Sequence, residues 1–476
     1  MVKIKILHRY DVSPPANSVS ATALPLTFFD IPWLLCPPMQ RLFFYDSPQS
    51  LPSFVQTTLP LLVRSLSLAL RCFFPFAASL VLPLVPPQKP YILYCNGDSL
   101  SLTVAESPAD FAELVSDKGR HAMLIHPLVP QLPLPHTSDG ARMWPLMAIQ
   151  VTLFPNEGIC VGVQFLHVAA DGRSFNHFMK SWASIHRSSG APACVDPGDP
   201  SPFYDREGVK DLNGLEPILL KDWWSCVGSS PSPISIEPLL AVADKVRATF
   251  VLGKAHIDGL KAQVLSQLKN DHVDSESDTI HLSTFVVTCA FVWVCMIESK
   301  QIEHQRRDQS SSQSGIDELC SFCFVADCRG RLKYSMPSTY VGNYLGIYFL
   351  SERKRTLLGK SGISHAVRAI GRKVKEVERG GGLRGAEGWI RDWKVFDNGE
   401  LVTVAGSPRL KVYDTDFGWG KPTKSHVVQI DISGAIALAE SRNGDGGVEV
   451  GLALTRVCME KFVCLFEKGS KSFMSL

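Results

Sequence analysis

The sequence predicts an α/β protein in which helices pack on sheets in two successive units. The chain has 476 residues, and a single hydrophobic core rarely grows beyond about 250–300 residues. Strand and helix patterns are mixed in both halves, and the stretch 188–237 between them is rich in serine, glycine and proline without apolar periodicity. We therefore expect a first unit over 1–187, a crossover loop over 188–237 and a second unit over 238–476.

The overall composition is that of an ordinary globular protein. Apolar residues make up 45% of the chain, charged residues 20%, and the net charge is +2, so the basic surface that nucleic acid binding requires is not expected. No uninterrupted apolar run reaches the ~18 residues of a membrane span; the stretch 285–297 comes nearest. The first residues lack the apolar core of a signal peptide. We expect a cytoplasmic monomer that binds neither nucleic acid nor membrane.

The 13 cysteines show no framework spacing. Many lie in apolar runs, where a reduced thiol behaves as a small apolar side chain, and this usage fits a reducing compartment. Cys320 and Cys323 form a lone C-x-x-C pair, for which we favour strand packing over metal binding. No metal is expected.

The first unit is predicted to combine strands with one long helix. A helix is expected over 51–72, and Pro75 disfavours its continuation. Turn residues Asn96-Gly97-Asp98 predict a hairpin between two short strands, and a second strand pair surrounds Pro155-Asn-Glu-Gly158. The predicted strands cover residues 41–45, 91–94, 100–104, 145–154 and 159–166.

The second unit repeats this mixture of patterns. Its predicted strands cover residues 247–252, 322–329, 343–350, 401–404, 427–432 and 448–454. Its predicted helices cover 257–265, 283–297 and 455–468. The helix over 283–297 is apolar nearly all round, so we expect it to be buried.

A histidine lies where the last strand of the first unit ends. Past His167 comes a turn that contains Asp171, and then a helix with Ser174 as its expected N-cap. A histidine at such a position is a suitable general base. The same spacing recurs from His304 to Asp308, but in a polar stretch where we expect a solvated loop that cannot hold a base.

Two motifs in this order form a recognisable pair: His167-Val-Ala-Ala-Asp171-Gly in the first unit and Asp416-Phe-Gly-Trp-Gly420 in the second. Together they resemble the plant BAHD acyltransferase family. Supporting stretches are Phe74-Pro-Phe-Ala, Asp327-Cys-Arg-Gly-Arg-Leu and Tyr340-Val-Gly-Asn. Three stretches taken together, Pro25 to Leu34, Tyr413 to Pro422 and Glu440 to Gly444, are most similar to the branch that acylates anthocyanins and other phenolic glycosides. The resemblance implies two chloramphenicol-acetyltransferase-like domains with a central solvent channel.

The resemblance also implies a reaction. A neutral His167 takes the proton of an acceptor hydroxyl while the oxygen attacks the thioester carbonyl of acyl-CoA. CoA thiolate is a good leaving group, so no covalent acyl-enzyme is required, and the chain contains no G-x-S-x-G motif of a serine hydrolase. The tetrahedral intermediate carries an oxyanion that needs a nearby donor, for which Ser407 is the candidate.

The aspartate of the first motif is implied to support the loop instead of reacting. Asp171 would point away from the substrate and pair with an arginine, with Arg329 as the first candidate and Arg331 as the second. The alternative is that Asp171 merely caps the following helix.

The second motif is likewise implied to be a structural turn. Gly418 and Gly420 allow backbone angles that other residues resist, and Asp416 belongs to the same turn. A catalytic role for this aspartate is the weaker interpretation.

Arg173 bears on the choice of acyl donor. A guanidinium near the thioester would match a carboxylate at the end of the acyl group, which favours malonyl-CoA; the alternative is an arginine at the surface or on a phosphate. Lys254, Ser283 and Thr284 are candidates for contacts with CoA, by residue type and family region. Tyr344 stands where the family often has cysteine, which puts the donor choice in question.

We predict a CoA-dependent O-acyltransferase that moves a malonyl group from malonyl-CoA to a sugar hydroxyl of a flavonoid or anthocyanin glucoside. Acyl-CoA is then a co-substrate, and no bound cofactor is expected. The alternative donor is a hydroxycinnamoyl-CoA, such as coumaroyl- or caffeoyl-CoA. A non-catalytic binding protein is opposed by the intact His167 and Asp171, and a hydrolase is the third reading.

Overall fold

A computed structural model describes residues 3–138, 140–189, 201–227, 242–270, 282–307, 318–334, 336–396 and 401–474. The strands within these ranges are β1 (Lys5–Val12), β2 (Thr22–Pro25), β3 (Met39–Asp46), β4 (Ser79–Pro83), β5 (Tyr91–Tyr94), β6 (Leu100–Glu106), β7 (Arg120–His121), β8 (His136–Ser138), β9 (Ala141–Pro145), β10 (Met147–Phe154), β11 (Gly158–Phe165), β12 (Lys245–Leu252), β13 (Leu319–Asp327), β14 (Leu345–Arg353), β15 (Leu401–Ala405), β16 (Lys424–Val427), β17 (Ile436–Glu440) and β18 (Val448–Thr455). The mixed α/β class predicted from the sequence is confirmed.

The α-helices are α1 (Leu51–Ser53), α2 (Leu59–Cys72), α3 (Phe111–Val115), α4 (Gly172–Arg187), α5 (Leu215–Val227), α6 (Lys254–Asn270), α7 (Thr284–Arg307), α8 (Lys354–Leu357), α9 (Gly362–Glu378), α10 (Trp389–Phe396), α11 (Ile430–Ser433) and α12 (Arg456–Phe473). A π-helical turn over Phe54–Thr58 joins α1 to α2, so the helix predicted over 51–72 is continuous. Short 3-10 turns cover Ile31–Leu35, Phe74–Ala77, Ala122–Leu124, His126–Leu128, His167–Ala169, Ala386–Gly388, Pro408–Leu410 and Val412–Asp414.

The sheet that leads to the candidate site has six strands in the order β1-β6-β10-β11-β3-β16. β10 and β11 pair antiparallel from Met147 opposite Phe165 to Phe154 opposite Gly158. Every residue of β10 is buried, because the sheet carries apolar side chains on both faces. β11 therefore runs through the core and ends two residues before His167.

Each half of the chain adds a strand to the sheet of the other half. β16 follows β3 at the edge of the first sheet, while the second sheet has the order β14-β13-β15-β17-β18-β12-β7, which ends on a strand of the first half. A third sheet, β2-β5-β4-β9-β8, lies in the first half. The boundaries at 187 and 238 stay predictions, since 190–200 and 228–241 lie outside the described residues.

Two predictions for the first half and the crossover were wrong. β5 and β6 do not form a hairpin: β5 pairs with β2 and β4, whereas β6 pairs with β1 and β10. The turn at Asn96-Gly97-Asp98 thus joins two sheets, because each strand already has partners on both sides, β5 in one sheet and β6 in the other. The stretch 188–237 is not irregular throughout either, since α5 lies in it with Leu219, Trp223 and Trp224 buried.

Two predictions for the second half also need correction. α7 continues to Arg307, so His304 lies on a helix and not in the predicted loop, although Asp308 is outside the described residues. The strand predicted over 427–432 lies earlier in the structure: β16 ends at Val427, and the short helix α11 begins at Ile430. The apolar run there packs against the sheets in helical form, which periodicity over so few residues cannot distinguish.

Cys320 and Cys323 lie on β13 and are buried. Three positions apart on a strand, they point to opposite faces, and they belong to different apolar clusters. One metal ion cannot contact both thiols from opposite sides of a sheet.

Two helical stretches, Leu51–Cys72 and Thr284–Gln301, are long and apolar enough to cross a membrane by length and composition alone, although polar residues interrupt both. In the second stretch 72% of the most apolar window is buried, against 39% in the first. The core helix of a globular protein meets the same criterion, and α7 packs against α9 and α12 in this manner.

Candidate active site

The chain between β11 and α4 presents His167. A 3-10 turn over His167–Ala169 follows the strand, and α4 begins at Gly172. The N-cap of α4 is Asp171, whose carboxylate accepts the backbone N–H of Ser174 at 2.9 Å. The prediction that Ser174 is the cap was wrong, because the carboxylate of Asp171, three residues earlier, already accepts the N–H of Ser174 in the first turn of α4.

Asn343 fixes the proton on the imidazole of His167. The amide nitrogen of Asn343 faces only acceptors: Oδ1 of Asp30 at 3.1 Å and the backbone carbonyls of His167 and Val168 at 3.0 and 3.2 Å. Its amide oxygen therefore faces Nδ1 of His167, 3.1 Å away, and Nδ1 must donate. The neutral tautomer then carries its lone pair on Nε2.

The surroundings of His167 also keep it neutral. The indole of Trp33 stacks on the imidazole with ring centroids 3.9 Å apart and an interplanar angle of 10°, and His167 is 8% exposed. Burial lowers the pKa of His167, an effect that the hydrogen bond with Asn343 and the carboxylates of Asp171 and Asp30 only partly offset. A neutral imidazole with a free Nε2 is the form that a general base requires.

Asp171 is occupied by structural partners. Its Oδ2 lies 2.6 Å from Nη1 of Arg329 and accepts the backbone N–H of Tyr344 at 3.2 Å, while Oδ1 accepts from the amide and hydroxyl of Ser174. The side chain is fully buried. Asp171 thus both caps α4 and pairs with Arg329, the two roles that the sequence left as alternatives, and Arg331 is not its partner.

Arg173 and Tyr344, on which the donor prediction rested, both contact other residues of the chain. Nε of Arg173 donates to Oδ2 of Asp327 at 2.8 Å, and the arginine side chain is 48% exposed. Asp327 also accepts from Arg329 at 3.1 Å, so this carboxylate joins two arginines. Tyr344 is buried, with its ring 4.3 Å from that of Phe29.

The glycine-rich motif forms a tight turn against α4. Oδ1 of Asp416 accepts the backbone N–H groups of Gly418 and Gly420 at 2.7 and 3.0 Å, and both glycines have positive φ, 94° and 88°. The carbonyl of Phe417 lies 2.5 Å from Nδ1 of His186 on α4. Each contact shapes the turn or ties it to α4.

The predicted CoA and oxyanion contacts lie on element ends. Lys254 is the exposed first residue of α6, Thr284 begins α7, and the hydroxyl of Ser283 accepts the N–H of Val286 at 3.3 Å. The hydroxyl of Ser407 accepts the N–H of Arg409 at 3.3 Å. Across the described chain, none of the four predicted residues is hydrogen-bonded to His167, and their roles stay predictions.

Two surface cavities lie away from His167. One of about 370 Å³ is lined by residues of β12, α6 and α12, and one of about 360 Å³ by residues of β14, α9 and the loop that follows α9. Neither holds a group of the candidate site, and the central channel implied by the resemblance stays a prediction.

Sequence reasoning missed three residues that support His167. Asn343 and Asp30 lie in stretches that carried the resemblance, but nothing in those stretches indicated that Asn343 contacts the imidazole or that Asp30 binds Asn343. Arg206, which pairs with Asp30, lies in the crossover segment and gave no signal. Asn343 is 176 residues away from His167 along the chain, so only the folded chain shows the contact.

The chain is similar to known proteins over nearly its whole length. Residues 2–468 match the model of the transferase family. The chain is 39% identical to the coumaroyl-CoA:anthocyanidin 3-O-glucoside-6''-O-coumaroyltransferase 1 of Arabidopsis thaliana and 34% identical to the malonyl-coenzyme A:anthocyanin 3-O-glucoside-6''-O-malonyltransferase of Dahlia pinnata, with 98% of each chain covered in both comparisons. Its fold is similar to that of vinorine synthase, with a TM-score of 0.67, 18% identity and 98% of each chain covered.

Proposed function

The chain belongs to the transferase (BAHD) family, and on this basis we propose that it transfers an acyl group from acyl-CoA to a sugar hydroxyl of a phenolic glucoside such as an anthocyanin. The family establishes that the chain is an acyltransferase, and BAHD acyltransferases use acyl-CoA as co-substrate. The relatives that act on anthocyanin glucosides support the acceptor class. We expect a cytoplasmic monomer.

One contact carries the proposed mechanism: the hydrogen bond from Nδ1 of His167 to Asn343. It leaves Nε2 to take the proton of the sugar hydroxyl as the oxygen forms its bond to the thioester carbonyl carbon. Collapse of the tetrahedral intermediate breaks the carbon–sulfur bond, and the CoA thiolate leaves and receives the proton from the imidazolium. Asp171 takes no proton, since Arg329 and three N–H or O–H donors occupy its oxygens.

The acyl donor is the finer part of the proposal. The sequence favoured malonyl-CoA because a free Arg173 would bind its carboxylate, but Arg173 is paired with Asp327. A malonyl group would have to compete with that carboxylate for the guanidinium. The relative at 39% identity is a coumaroyltransferase, and the malonyltransferase stands at 34%. We therefore propose a hydroxycinnamoyl-CoA donor first and malonyl-CoA as the second candidate.

A competition assay tests both parts. The 476-residue chain is incubated with an anthocyanidin 3-O-glucoside and equimolar coumaroyl-CoA and malonyl-CoA, and the products are identified by mass. We expect a coumaroyl adduct that Arg173→Ala leaves unchanged. A dominant malonyl adduct that Arg173→Ala abolishes would restore the malonyl donor.

His167→Ala serves as the test of the base in the same assay. We expect about 10²- to 10⁴-fold slower transfer, with His136→Ala, at an exposed histidine on β8, as the matched control. Unchanged transfer by His167→Ala would exclude the proposed mechanism, and acyl transfer mainly to water would indicate a hydrolase.

A further inference from the structure

A second buried Arg–Asp pair adjoins His167. Nη1 of Arg206 lies 3.1 Å from Oδ2 of Asp30, and the two side chains are 5% and 0% exposed. Asp30 precedes the 3-10 turn that carries Trp33, while Arg206 belongs to the crossover segment. The proposed mechanism uses neither residue, and a buried ion pair without a further role is often no more stabilising than apolar packing.

The pair reaches the imidazole through one residue. Oδ1 of Asp30 accepts both the backbone N–H and the side-chain N–H of Asn343, each at 3.1 Å. The amide oxygen of Asn343 in turn accepts from His167. Oδ2 of Asp30 takes the amide and hydroxyl of Thr27 at 2.8 Å each. Both oxygens of the Asp30 carboxylate are therefore hydrogen-bonded. Because Oδ1 accepts the side-chain N–H of Asn343, it fixes the orientation of that amide.

The absence of a side chain at Gly342 leaves space for the guanidinium of Arg206. Gly342 has φ +147°, and a Cβ there would lie 2.4 Å from Nη1 of Arg206. The same nitrogen donates to the hydroxyl of Tyr340 at 2.6 Å, and the guanidinium lies 5.1 Å from the centre of that ring. Backbone hydrogen bonds of Phe203 with the chain at Thr339 and Val341 hold the segment in place.

We propose that Arg206 is a positioning residue for the catalytic base: through Asp30 and Asn343 it holds His167 in the tautomer that leaves Nε2 free. The inference rests on His167 being the base of the proposed reaction. It gives the crossover segment a part in catalysis beyond joining the two halves.

Charge balance makes the proposal testable. The carboxylates that act on His167 are Asp171 and Asp30, and each is neutralised by a buried arginine, Arg329 and Arg206 respectively. Without Arg206 the negative charge of Asp30 favours the imidazolium. Without the Asp30 charge, Arg206 disfavours it.

The experiment compares Arg206→Met and Asp30→Asn in the full-length chain by the pH dependence of kcat/KM. We expect the acid limb to move to higher pH in Arg206→Met and to lower pH in Asp30→Asn. The KM for the glucoside stays within about twofold, while kcat falls on the order of 100-fold because the base is misplaced. Arg206→Lys keeps the charge, so its acid limb stays near that of the wild type.

Arg247→Met is the matched control, since Arg247 and Asp431 form another buried pair that has no contact with His167 among the described residues. It should lower thermal stability without moving the acid limb. The proposal is overturned if Arg206→Met behaves like Arg247→Met, or if both site variants shift the limb in the same direction. Should Arg206→Met fail to fold, Arg206→Gln takes its place, because it removes the charge but keeps a side-chain N–H for Asp30. An acid limb that does not move to higher pH in Arg206→Gln would overturn the proposal.

His167→Ala separates the two hypotheses. If it retains transfer, the proposed mechanism fails and the inference with it. If it is inactive while Arg206→Met leaves the pH profile unchanged, only the role of Arg206 is rejected.

Discussion

At the scale of single residues, burial and one hydrogen bond set the protonation of His167. Desolvation is the largest effect and lowers its pKa, because the charged imidazolium loses its water next to Trp33. Hydrogen bonding and the carboxylates of Asp171 and Asp30 only partly offset this lowering, and each carboxylate is paired with a buried arginine. His167 is thus neutral before the reaction and can accept a proton during it.

The pH profile of the wild-type enzyme follows from this balance. We expect the acid limit of kcat/KM to lie below the usual histidine pKa of about 6.5, because His167 stays neutral to lower pH. The unfolded chain binds a proton at this histidine more readily than the folded chain does. The free energy of unfolding therefore declines as pH falls below about 6.5. Initial rates between pH 4.5 and 8 measure the limit. An acid limit at or above the usual value would contradict the lowered pKa.

At the scale of elements, α4 is fastened at both ends by contacts distant in sequence. Asp171 at its start binds Arg329 from the loop after β13. At its end, His186 and Trp182 pack against Phe417 of the glycine-rich turn. The turn therefore supports the helix that follows the histidine motif, which explains how a conspicuous motif can matter without touching a substrate.

Asp416→Ala tests this supporting role. It removes two hydrogen bonds from a carboxylate to backbone amides, and we expect the free energy of unfolding to fall by about 2–4 kcal/mol. Asp416→Asn keeps an acceptor oxygen and should lose less than half as much. Urea denaturation measures both, and the acid limb of kcat/KM should not move in either variant. A shifted limb at normal stability would instead indicate a direct catalytic role.

At the scale of the whole molecule, the two halves are interlocked. β16 pairs with β3 of the first half, and β7 pairs with β12 of the second. Side-chain contacts between the halves include that of Arg120 with His426 at 2.5 Å, which is buried, and that of Lys424 with Asp117 at 2.5 Å, in which the lysine is buried. Neither half can satisfy its sheet edge or its buried charges without the other.

We therefore expect the chain to unfold in one cooperative transition. Circular dichroism and tryptophan fluorescence should give coincident thermal midpoints, and residues 1–187 expressed alone should not fold. Well-separated transitions, or a folded fragment 1–187 with native-like tryptophan fluorescence, would contradict the interlocked arrangement.

The sequence by itself determined the features that depend on nearby residues. The strand into His167, the amphipathic helix after it and the buried helix α7 follow from apolar periodicity over neighbouring turns. The paired motifs identified the family, and the resemblance to it indicated Arg329 as the partner of Asp171. The sequence pattern could not identify the N-cap of α4. Asp171 and Ser174 are both good N-cap residues, and only their backbone angles distinguish them.

The tertiary structure alone decided which distant residues meet. Asn343 reaches His167 across 176 residues of chain, and Asp30 reaches Asn343 across 313. Arg206 comes from a segment in which the sequence shows no apolar periodicity, and Arg173 binds Asp327 instead of remaining free. The hairpin predicted at Asn96-Gly97-Asp98 failed for the same reason. Local propensities act over a few residues, whereas these contacts result from burying charge and sheet edges, which depends on the packing of the entire chain.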